Sequence, residues 1–208
     1  MGQTPFFELY QKGSDPVIAP DILRRLRRLM RRGVQASHAP TAAALATSDA
    51  RGHVSVRMVL VKSIDARGAV WYTNTTSRKA AQLRMNPRAA LCLYWPSLGQ
   101  QVILEGTVEP VSNADADAYW RSRDRRSQVG AWASQQSHRL PSRAVLRSRV
   151  ASYAAKFAGQ PVPRAPHWSG YRLMPERIEF WTAKPYRLNE RVLYHRRHGR
   201  WVQTLLYP

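Results

Sequence analysis

The chain has 208 residues, with 33 Lys and Arg against 13 Asp and Glu, so its formal net charge is +20. Because 44% of the residues are hydrophobic and seven are tryptophan, the chain can bury a sizeable core, which excludes a disordered basic tail as the whole protein. No apolar run approaches the ~18 residues of a membrane span, and the start lacks the regions of a signal peptide, so we expect a cytoplasmic protein. The charge leaves three classes open: a nucleic-acid binder, an enzyme for phosphorylated molecules, and a protein that is merely rich in arginine.

A basic amphipathic helix is predicted to begin at Pro20 and to stop at Gly33. Its apolar residues recur at helical spacing, and most positions between them are arginine. This pattern favours a helix that docks its leucine face on the protein and leaves its arginines in solvent, with a nucleic-acid or membrane-surface helix as the alternative. We assign the helix to an N-terminal extension, residues 1–40, ahead of a domain that spans residues 41–208.

Strand-like runs follow between residues 41 and 111. The first three, at residues 41–48, 53–64 and 69–75, are separated by short turns that end in Gly52 and Gly68, and they predict an antiparallel meander. Two more runs, at residues 89–95 and 100–111, predict further strands. Cys92, in the first of these two runs, is expected to be a buried small hydrophobe.

A short helix is predicted between the third and fourth strands, at residues 76–87, with Thr76 or Ser77 as its N-cap. Its first turn carries Arg78 and Lys79. Those charges, together with the free backbone N–H groups of a helix start, suit a phosphate. Taken alone, the same residues are equally typical of an ordinary helix start.

The second half of the chain alternates helices and strands. Three helical runs are predicted between residues 113 and 157, followed by a proline-rich linker, residues 159–168, that is expected to run over the surface. Strand-like runs return at residues 171–182, 191–197 and 200–207. Strands, helices and strands again in so short a chain predict one α+β domain in which the last strands complete the first sheet.

No motif for metal binding or covalent catalysis is present. The six histidines form no HExxH pattern, one cysteine cannot make a thiolate cluster, and no Gly-rich nucleotide loop or GxSxG serine motif occurs. We therefore expect no metal site. The cations and aromatic residues on strands suit the binding of a planar anionic cofactor that supplies the reactivity itself.

Six runs, in chain order, carry a resemblance to a known family: RMVLVK (57–62), YTN (72–74), SRKAAQLRMNPRAAL (77–91), QQVILEG (100–106), YWRSRDRRSQVGAWASQQS (119–137) and IEFWTAKPYRLNER (178–191). They resemble the flavin-dependent pyridoxine (pyridoxamine) 5′-phosphate oxidases, and the resemblance covers residues 41–208. It implies an α+β split β-barrel of six to eight antiparallel strands with flanking helices. It also implies a homodimer that binds FMN in clefts between its subunits.

The resemblance implies FMN-binding residues on both subunits. One subunit would supply Arg57, Lys62, Tyr72, Thr73, Arg78, Lys79 and Gln101, and the other Gln136, Ser137, Trp181 and Arg191. Guanidinium groups and a helix start suit the FMN phosphate, while amides and a cation suit the edge of the flavin ring. Arg57 and Lys62 differ by five positions and would face opposite sides of an unbroken strand, so either a bulge or a site that uses both faces is needed.

Substrate contacts are implied in the same way. The ligands of the substrate phosphate would be Lys62, Tyr119, Arg123 and Ser127. On one helix Tyr119, Arg123 and Ser127 recur every four residues, so we expect them to share a face and to reach a single phosphate. Arg187 corresponds to the family arginine that covers the pyridine ring of the substrate and positions it over the flavin.

Two departures from the family pattern concern the substrate. Asn189 stands where family members usually have a histidine of the substrate site, and asparagine can hydrogen-bond but cannot titrate near neutral pH. The first forty residues also lack the arginine- and tyrosine-containing segment that can fold over the substrate in the family. We take Arg187 and Asn189 as the catalytic candidates, with Asn189 as the weaker substrate contact.

The function that the resemblance implies is an FMN-dependent oxidase of pyridoxamine or pyridoxine 5′-phosphate. Hydride transfer from substrate C4′ to flavin N5 would give pyridoxal 5′-phosphate, and O2 would reoxidise the flavin with release of H2O2. A related FMN-dependent oxidase of another aromatic metabolite, as in phenazine biosynthesis, is the alternative. A basic nucleic-acid-binding protein is a remote alternative. In the leading interpretation the protein binds neither nucleic acid nor a membrane.

Overall fold

The fold is one antiparallel sheet that closes into a barrel. The computed structural model describes residues 17–36 and 39–208, so most of the predicted N-terminal extension before the helix lies outside the described residues. The strands are β1 (Ala42–Ser48), β2 (Val54–Asp65), β3 (Gly68–Asn74), β4 (Arg88–Trp95), β5 (Gln100–Pro110), β6 (Trp168–Thr182), β7 (Glu190–Arg197) and β8 (Arg200–Leu206). The helices are α1 (Pro20–Ala36), α2 (Arg78–Met85), α3 (Asn113–Ser122), α4 (Arg125–Ala133) and α5 (Arg143–Lys156).

The strand pairing confirms the predicted α+β split barrel. The strand order is β3-β2-β1-β4-β5-β6-β7-β8, and β3 also pairs with β6, which closes six strands into a barrel and leaves β7 and β8 as an extension. β1, β2 and β3 form the predicted antiparallel meander. Because β6 pairs with both β3 and β5, the late strands complete the first sheet as expected.

Helix α1 packs its apolar face into the barrel core, where Ile22, Leu26 and Leu29 are buried. On the same helix the guanidinium carbon of Arg25 lies 4.2 Å from the centre of the Phe180 ring. This packing confirms that the leucine face is docked, whereas Arg25 is half-buried on Phe180 and does not lie in solvent as expected. It also leaves no leucine face free for a membrane surface.

The predicted end of this helix at Gly33 is wrong, because α1 continues to Ala36. Gly33 is buried against Trp95, and a Cβ at this position would overlap the indole ring. The glycine therefore allows a close approach of helix and barrel, and it does not act as a stop signal.

Two burial predictions also need correction. Cys92 is half-buried, since Leu91 and Leu93 on either side of it point into the core and Cys92 lies on the outer face of β4. The linker does not simply run over the surface, because Val162 and Ala165 are buried. Both pack into a second apolar cluster beside helices α3–α5, which offsets the cost of ordering a proline-rich segment.

This second cluster holds the helical part of the chain next to β3. Its buried members include Trp120, Val129, Phe157 and Trp168. The indole N–H of Trp120 donates to the carbonyl of Val162 at 2.8 Å, so the polar atom of this buried ring is satisfied. In the part of the chain that the structure describes, no helix is both long enough and apolar enough to cross a membrane.

Candidate active site

A cavity of about 780 Å³ lies between β2, the end of β3, the start of α2 and the segment that joins α3 to α4. Most of the predicted site residues line it. They are Arg57, Lys62, Tyr72, Thr73, Arg78, Lys79, Tyr119, Arg123, Ser127, Gln136 and Ser137. Residues that are far apart in the sequence therefore form one polar, cationic cavity.

The strand that carries Arg57 and Lys62 is irregular, and the cavity uses both of its faces. The register between β2 and β3 shifts between Val61 and Ser63, which makes Lys62 the extra residue of a bulge. The cavity is lined by the consecutive β2 residues 55–60, and so by both faces of the strand, together with Lys62. Both features that the five-residue spacing suggested, a bulge and a site on two strand faces, are therefore present.

One end of the cavity, at the start of α2, is a cationic cradle formed by Arg57, Arg78 and Lys79. Hydrogen bonds fix the two inner cations: Arg57 Nη1 donates to the Leu45 carbonyl at 3.0 Å, and Lys79 Nζ donates to Thr73 Oγ1 at 3.0 Å. Burial lowers the pKa of Arg57, and the charge of Arg78 lowers it further. Neighbouring cations of this kind favour the binding of an anion.

The α3–α4 segment differs from the single helix that the four-residue spacing of Tyr119, Arg123 and Ser127 predicts. Helix α3 ends at Ser122, and Arg123 has an extended backbone with ψ 145. Asp124 then caps α4 and accepts a hydrogen bond from the backbone N–H of Ser127 at 2.9 Å. The expectation of one shared helix face is therefore wrong, because an N-cap aspartate starts a new helix at this point.

The break nevertheless keeps the three predicted phosphate ligands together on the cavity wall. Arg123 Nη2 donates to the Ser127 carbonyl at 3.1 Å, whereas Arg123 Nη1 is buried and has no hydrogen-bond partner. The guanidinium lies 4.8 Å from the ring of Trp168, and burial lowers the pKa of Arg123. The guanidinium charge of Arg123 and the ammonium of Lys62 both line the cavity, so this end also fits an anionic group.

A stack of aromatic rings supports this second end. The ring centres of Tyr72 and Tyr119 are 4.1 Å apart, and those of Tyr72 and Trp168 are 5.2 Å apart, with nearly parallel planes. Gly170 leaves room for Tyr72, since a Cβ there would lie 2.7 Å from that ring. Trp168 lines the cavity but is absent from the sequence-based set, and only its register opposite the end of β3 could have indicated it.

Gln136 and Ser137 line the same cavity as Arg57 and Lys79 of their own chain. The resemblance instead implies that the other subunit supplies them. The segment after α4 turns back onto β3, where Asn74 Nδ2 donates to the Ser134 carbonyl at 3.3 Å. Gln136 Oε1 then accepts a hydrogen bond from Lys79 Nζ at 2.8 Å. The return of the chain therefore places both residues beside the cationic cradle.

The remaining predicted residues do not line the cavity. Gln101, Trp181 and Arg191 are paired across β5, β6 and β7 and form a row on the sheet. Arg187 and Asn189 lie in the loop between β6 and β7. The structure therefore divides the predicted site into a cavity and a separate row with its neighbouring loop.

Comparison with known proteins decides the family. Residues 31–157 match the family described as pyridoxamine 5′-phosphate oxidase, and residues 168–208 match the pyridoxine 5′-phosphate oxidase C-terminal dimerisation region. The chain belongs to the pyridoxamine 5′-phosphate oxidase family. Membership confirms the resemblance, and with it the prediction of an FMN-dependent oxidoreductase with FMN as its cofactor.

Similar proteins with curated names agree with this family. The pyridoxine/pyridoxamine 5′-phosphate oxidase of Anaeromyxobacter dehalogenans strain 2CP-C is 55% identical over 93% of this chain and 98% of its own length. The protein of the same name from Myxococcus xanthus strain DK1622 is 52% identical over 92% of this chain and 94% of its own length. Among solved structures, PhzG from Burkholderia lata 383, in complex with tetrahydrophenazine-1-carboxylic acid, matches with a TM-score of 0.84 and 36% identity over 90% of this chain and 92% of that one.

The cavity of this family member fits FMN by its own chemistry. The cradle at α2 presents three cations, and Ser77, the N-cap of α2, makes no side-chain capping bond, so backbone N–H groups of the first turn are free for an anion. Among the described residues that line the cavity, Asp124 is the acidic one, and it caps α4 at the opposite end. A phosphate dianion at the cradle would offset the mutual repulsion of its cations.

The ammonium of Lys79 predicts how FMN binding depends on pH. Burial, and then the charge of Arg57, lower the pKa of Lys79 to about 8. A bound phosphate favours the charged ammonium, so binding above this pKa requires uptake of a proton. We expect the affinity for FMN to fall about twofold between pH 7 and 8 and up to about tenfold per pH unit above pH 8. Titration of flavin fluorescence against protein at pH 7.0, 8.0, 8.75 and 9.5 measures this.

The matched control is Lys79→Arg, whose guanidinium stays charged over the whole range. Its FMN dissociation constant is expected to change little between pH 7 and 9.5. An equally steep fall in affinity for Lys79→Arg, or none for the wild-type chain, would contradict the role of Lys79.

An exposed apolar face connects the cavity with the separate row. Val56, Met58 and Leu60 of β2 line the cavity edge and are 68%, 64% and 48% exposed. The face continues across the sheet through Ala44, which is paired with Met58 on β2, and through Cys92, which is paired with Ala44. It ends near the row that begins at Gln101. An apolar surface of this kind, in a chain that matches a dimerisation region, is typical of a protein interface.

Proposed function

We propose that the protein oxidises pyridoxamine 5′-phosphate and pyridoxine 5′-phosphate with O2 to pyridoxal 5′-phosphate and H2O2. With the amine, the reaction also consumes water and releases ammonia. The observation that carries the proposal is that one cavity holds two groups of cations, the cradle at α2 and, beside the aromatic stack, Lys62 with the half-buried Arg123. One end suits the cofactor phosphate and the other a substrate phosphate. The names of the curated relatives support the same reaction.

FMN, when bound, would supply the redox chemistry by accepting a hydride from substrate C4′ at N5 and passing both electrons to O2. The protein would contribute binding and orientation. Arg57, Arg78 and Lys79 would hold the FMN phosphate, and the substrate phosphate would be held by Lys62, Tyr119, Arg123 and Ser127. Because the stacked rings fix Tyr119 and Arg123, the phosphate would define where C4′ lies, and such orientation lowers the barrier to transfer.

We further propose that the active unit is a homodimer with FMN at the subunit interface. A second copy that covers the apolar face of β2 would bring its own row, Gln101, Trp181 and Arg191, and its own loop residues, Arg187 and Asn189, to the cavity. Arg187 would then lie against the pyridine ring. The cytoplasmic location expected from the sequence stays a prediction.

Substrate preference tests the proposed function. The holoenzyme is expected to form H2O2 from pyridoxamine 5′-phosphate with a kcat/KM at least about 100-fold higher than from unphosphorylated pyridoxamine. The reason is that two or more charge-assisted hydrogen bonds to the phosphate contribute about 1.5–3 kcal/mol each. A coupled peroxidase assay with both substrates measures the ratio.

The similarity to PhzG from Burkholderia lata 383 favours one alternative, an oxidase of another aromatic metabolite. That alternative predicts no preference for the phosphorylated substrate. A nucleic-acid binder would instead retain RNA or DNA on a filter at ~150 mM salt and show a steep loss of affinity as salt increases. Equal peroxide formation from both substrates, or none from either, would contradict the proposed function.

A further inference from the structure

The loop between β6 and β7 holds two consecutive residues in the left-handed region. The strands separate after the pair Thr182 and Glu190, and within the loop Tyr186 has φ 57 and Arg187 has φ 62. This conformation costs a residue with a Cβ about 1–2 kcal/mol. It persists only where the surrounding contacts impose it.

The side chain of Asn189 closes this loop. Its Oδ1 accepts a hydrogen bond from the backbone N–H of Lys184 at 3.1 Å, across the two left-handed residues. Inside that closure the N–H of Leu188 donates to the Pro185 carbonyl at 3.1 Å. Asn189 is half-buried whereas Leu188 and Glu190 beside it are exposed. The carboxamide is therefore turned into the loop and bonded to its backbone.

We infer that Asn189 is a positioning residue for Arg187, and not primarily a substrate contact. By holding the N–H of Lys184, its carboxamide keeps Arg187 in the left-handed conformation that sets the direction of the guanidinium. The inference rests on the proposed function, in which Arg187 lies against the substrate ring. In this role the side chain of Asn189 only has to accept a hydrogen bond, and it does not have to gain or lose a proton.

The chemistry of the carboxamide supports this assignment. Oδ1 is engaged by the loop, and an asparagine keeps this acceptor at every pH between 5 and 9. The ion pair of Lys184 Nζ and Glu190 Oε1 at 3.0 Å also spans the loop, but it is exposed and worth little. The backbone bond that the Leu188 N–H donates lies inside the closure that Asn189 makes. Among these contacts, the bond of Asn189 is the one whose loss we expect to release Arg187.

A double-mutant cycle with Arg187 tests the inference. Asn189→Ala is expected to lower kcat/KM for pyridoxamine 5′-phosphate about tenfold, because a displaced catalytic side chain is costly. In the Arg187→Ala background the same change is expected to cost less than about twofold, since the group that Asn189 positions is already absent. Asn189→Asp keeps the acceptor oxygen and is expected to recover most of the loss. Additive losses, or an aspartate variant as slow as the alanine variant, would overturn the inference.

Amide hydrogen exchange of the full-length holoenzyme gives a readout that does not depend on catalysis. The N–H of Lys184 is expected to exchange faster in Asn189→Ala than in the wild-type chain and to be protected again in Asn189→Asp. Unchanged exchange in Asn189→Ala would overturn the inference even if activity falls. If the wild-type chain had no activity on pyridoxamine 5′-phosphate, only the proposed function would be contradicted. The exchange comparison would still show whether Asn189 holds the loop closed.

Discussion

Arg123→Met is expected to lower kcat/KM for pyridoxamine 5′-phosphate by about 100- to 1000-fold. Arg123 is a half-buried cation on the cavity wall, so a substrate phosphate beside it would gain at least one charge-assisted hydrogen bond. Methionine has a similar length and can keep the packing on Trp168 and Trp120, which lie 4.8 and 5.3 Å from the guanidinium. The effect should therefore report the lost charge and not a cavity. Initial rates over a range of substrate concentrations separate KM from kcat.

The same variant is expected to change the rate with unphosphorylated pyridoxamine less than about threefold, since that substrate has no phosphate to lose. Its FMN affinity should also be unchanged, because the cradle at α2 lies at the other end of the cavity. Arg121→Met is the matched control, as Arg121 is exposed on α3 and does not line the cavity. Equal losses with both substrates, or a comparable loss in the control, would contradict the assignment of Arg123 to the phosphate.

The resemblance to the family predicted most residues of this site, and the sheet brings those from β2, β3 and α2 into one cavity. Residue types and local spacing alone indicated only Arg78 and Lys79 at the start of a helix. The spacing of Arg57 and Lys62 predicted either a bulge or a two-faced site. It could not show that both occur, because a bulge depends on the partner strand and leaves no mark in one strand alone.

The parts that the sequence did not predict depend on contacts between distant segments. Trp168 belongs to the site because β6 pairs with β3, which stacks its ring on Tyr72. The break at Arg123 depends on Asp124 acting as a cap, and a four-residue spacing cannot reveal it. Likewise, the buried Val162 in a proline-rich linker reflects tertiary packing that overrides the local pattern.

Two groups of basic residues account for part of the positive charge, those that line the cavity and those on helix α1. An anion in the cavity would offset the charges of Arg57, Arg78 and Lys79, of which Lys79 is buried and Arg57 half-buried. On α1, Arg25 stacks on Phe180 and so contributes to the barrel through its planar group. If the cavity binds phosphorylated substrates as proposed, a positive surface around it would also attract them over distances of about one Debye length.

Asp65→Ala is expected to lower the free energy of unfolding by about 3–5 kcal/mol, the largest stability change that we expect of one substitution in this chain. Arg172 is only 2% exposed, and its Nη1 donates to Asp65 Oδ1 at 2.6 Å. The same oxygen accepts the backbone N–H of Arg67 at 2.8 Å and so holds the β2–β3 turn. The change would leave a buried charge unpaired and would remove the turn contact. Urea unfolding at fixed protein and FMN concentrations measures it, because both affect apparent stability.

A second substitution separates the unpaired charge from the loss of the turn. Asp65→Ala combined with Arg172→Met is expected to regain about half of the lost stability, because methionine fills the site without a charge and only the turn contact stays lost. Glu176→Ala is the control: its ion pair with Arg88 spans 2.7 Å but is solvent-exposed, so its loss should cost less than about 1 kcal/mol. If Asp65→Ala and Glu176→Ala proved equally mild, the buried pair would not anchor the barrel. A double variant no more stable than Asp65→Ala would assign the loss to the turn alone.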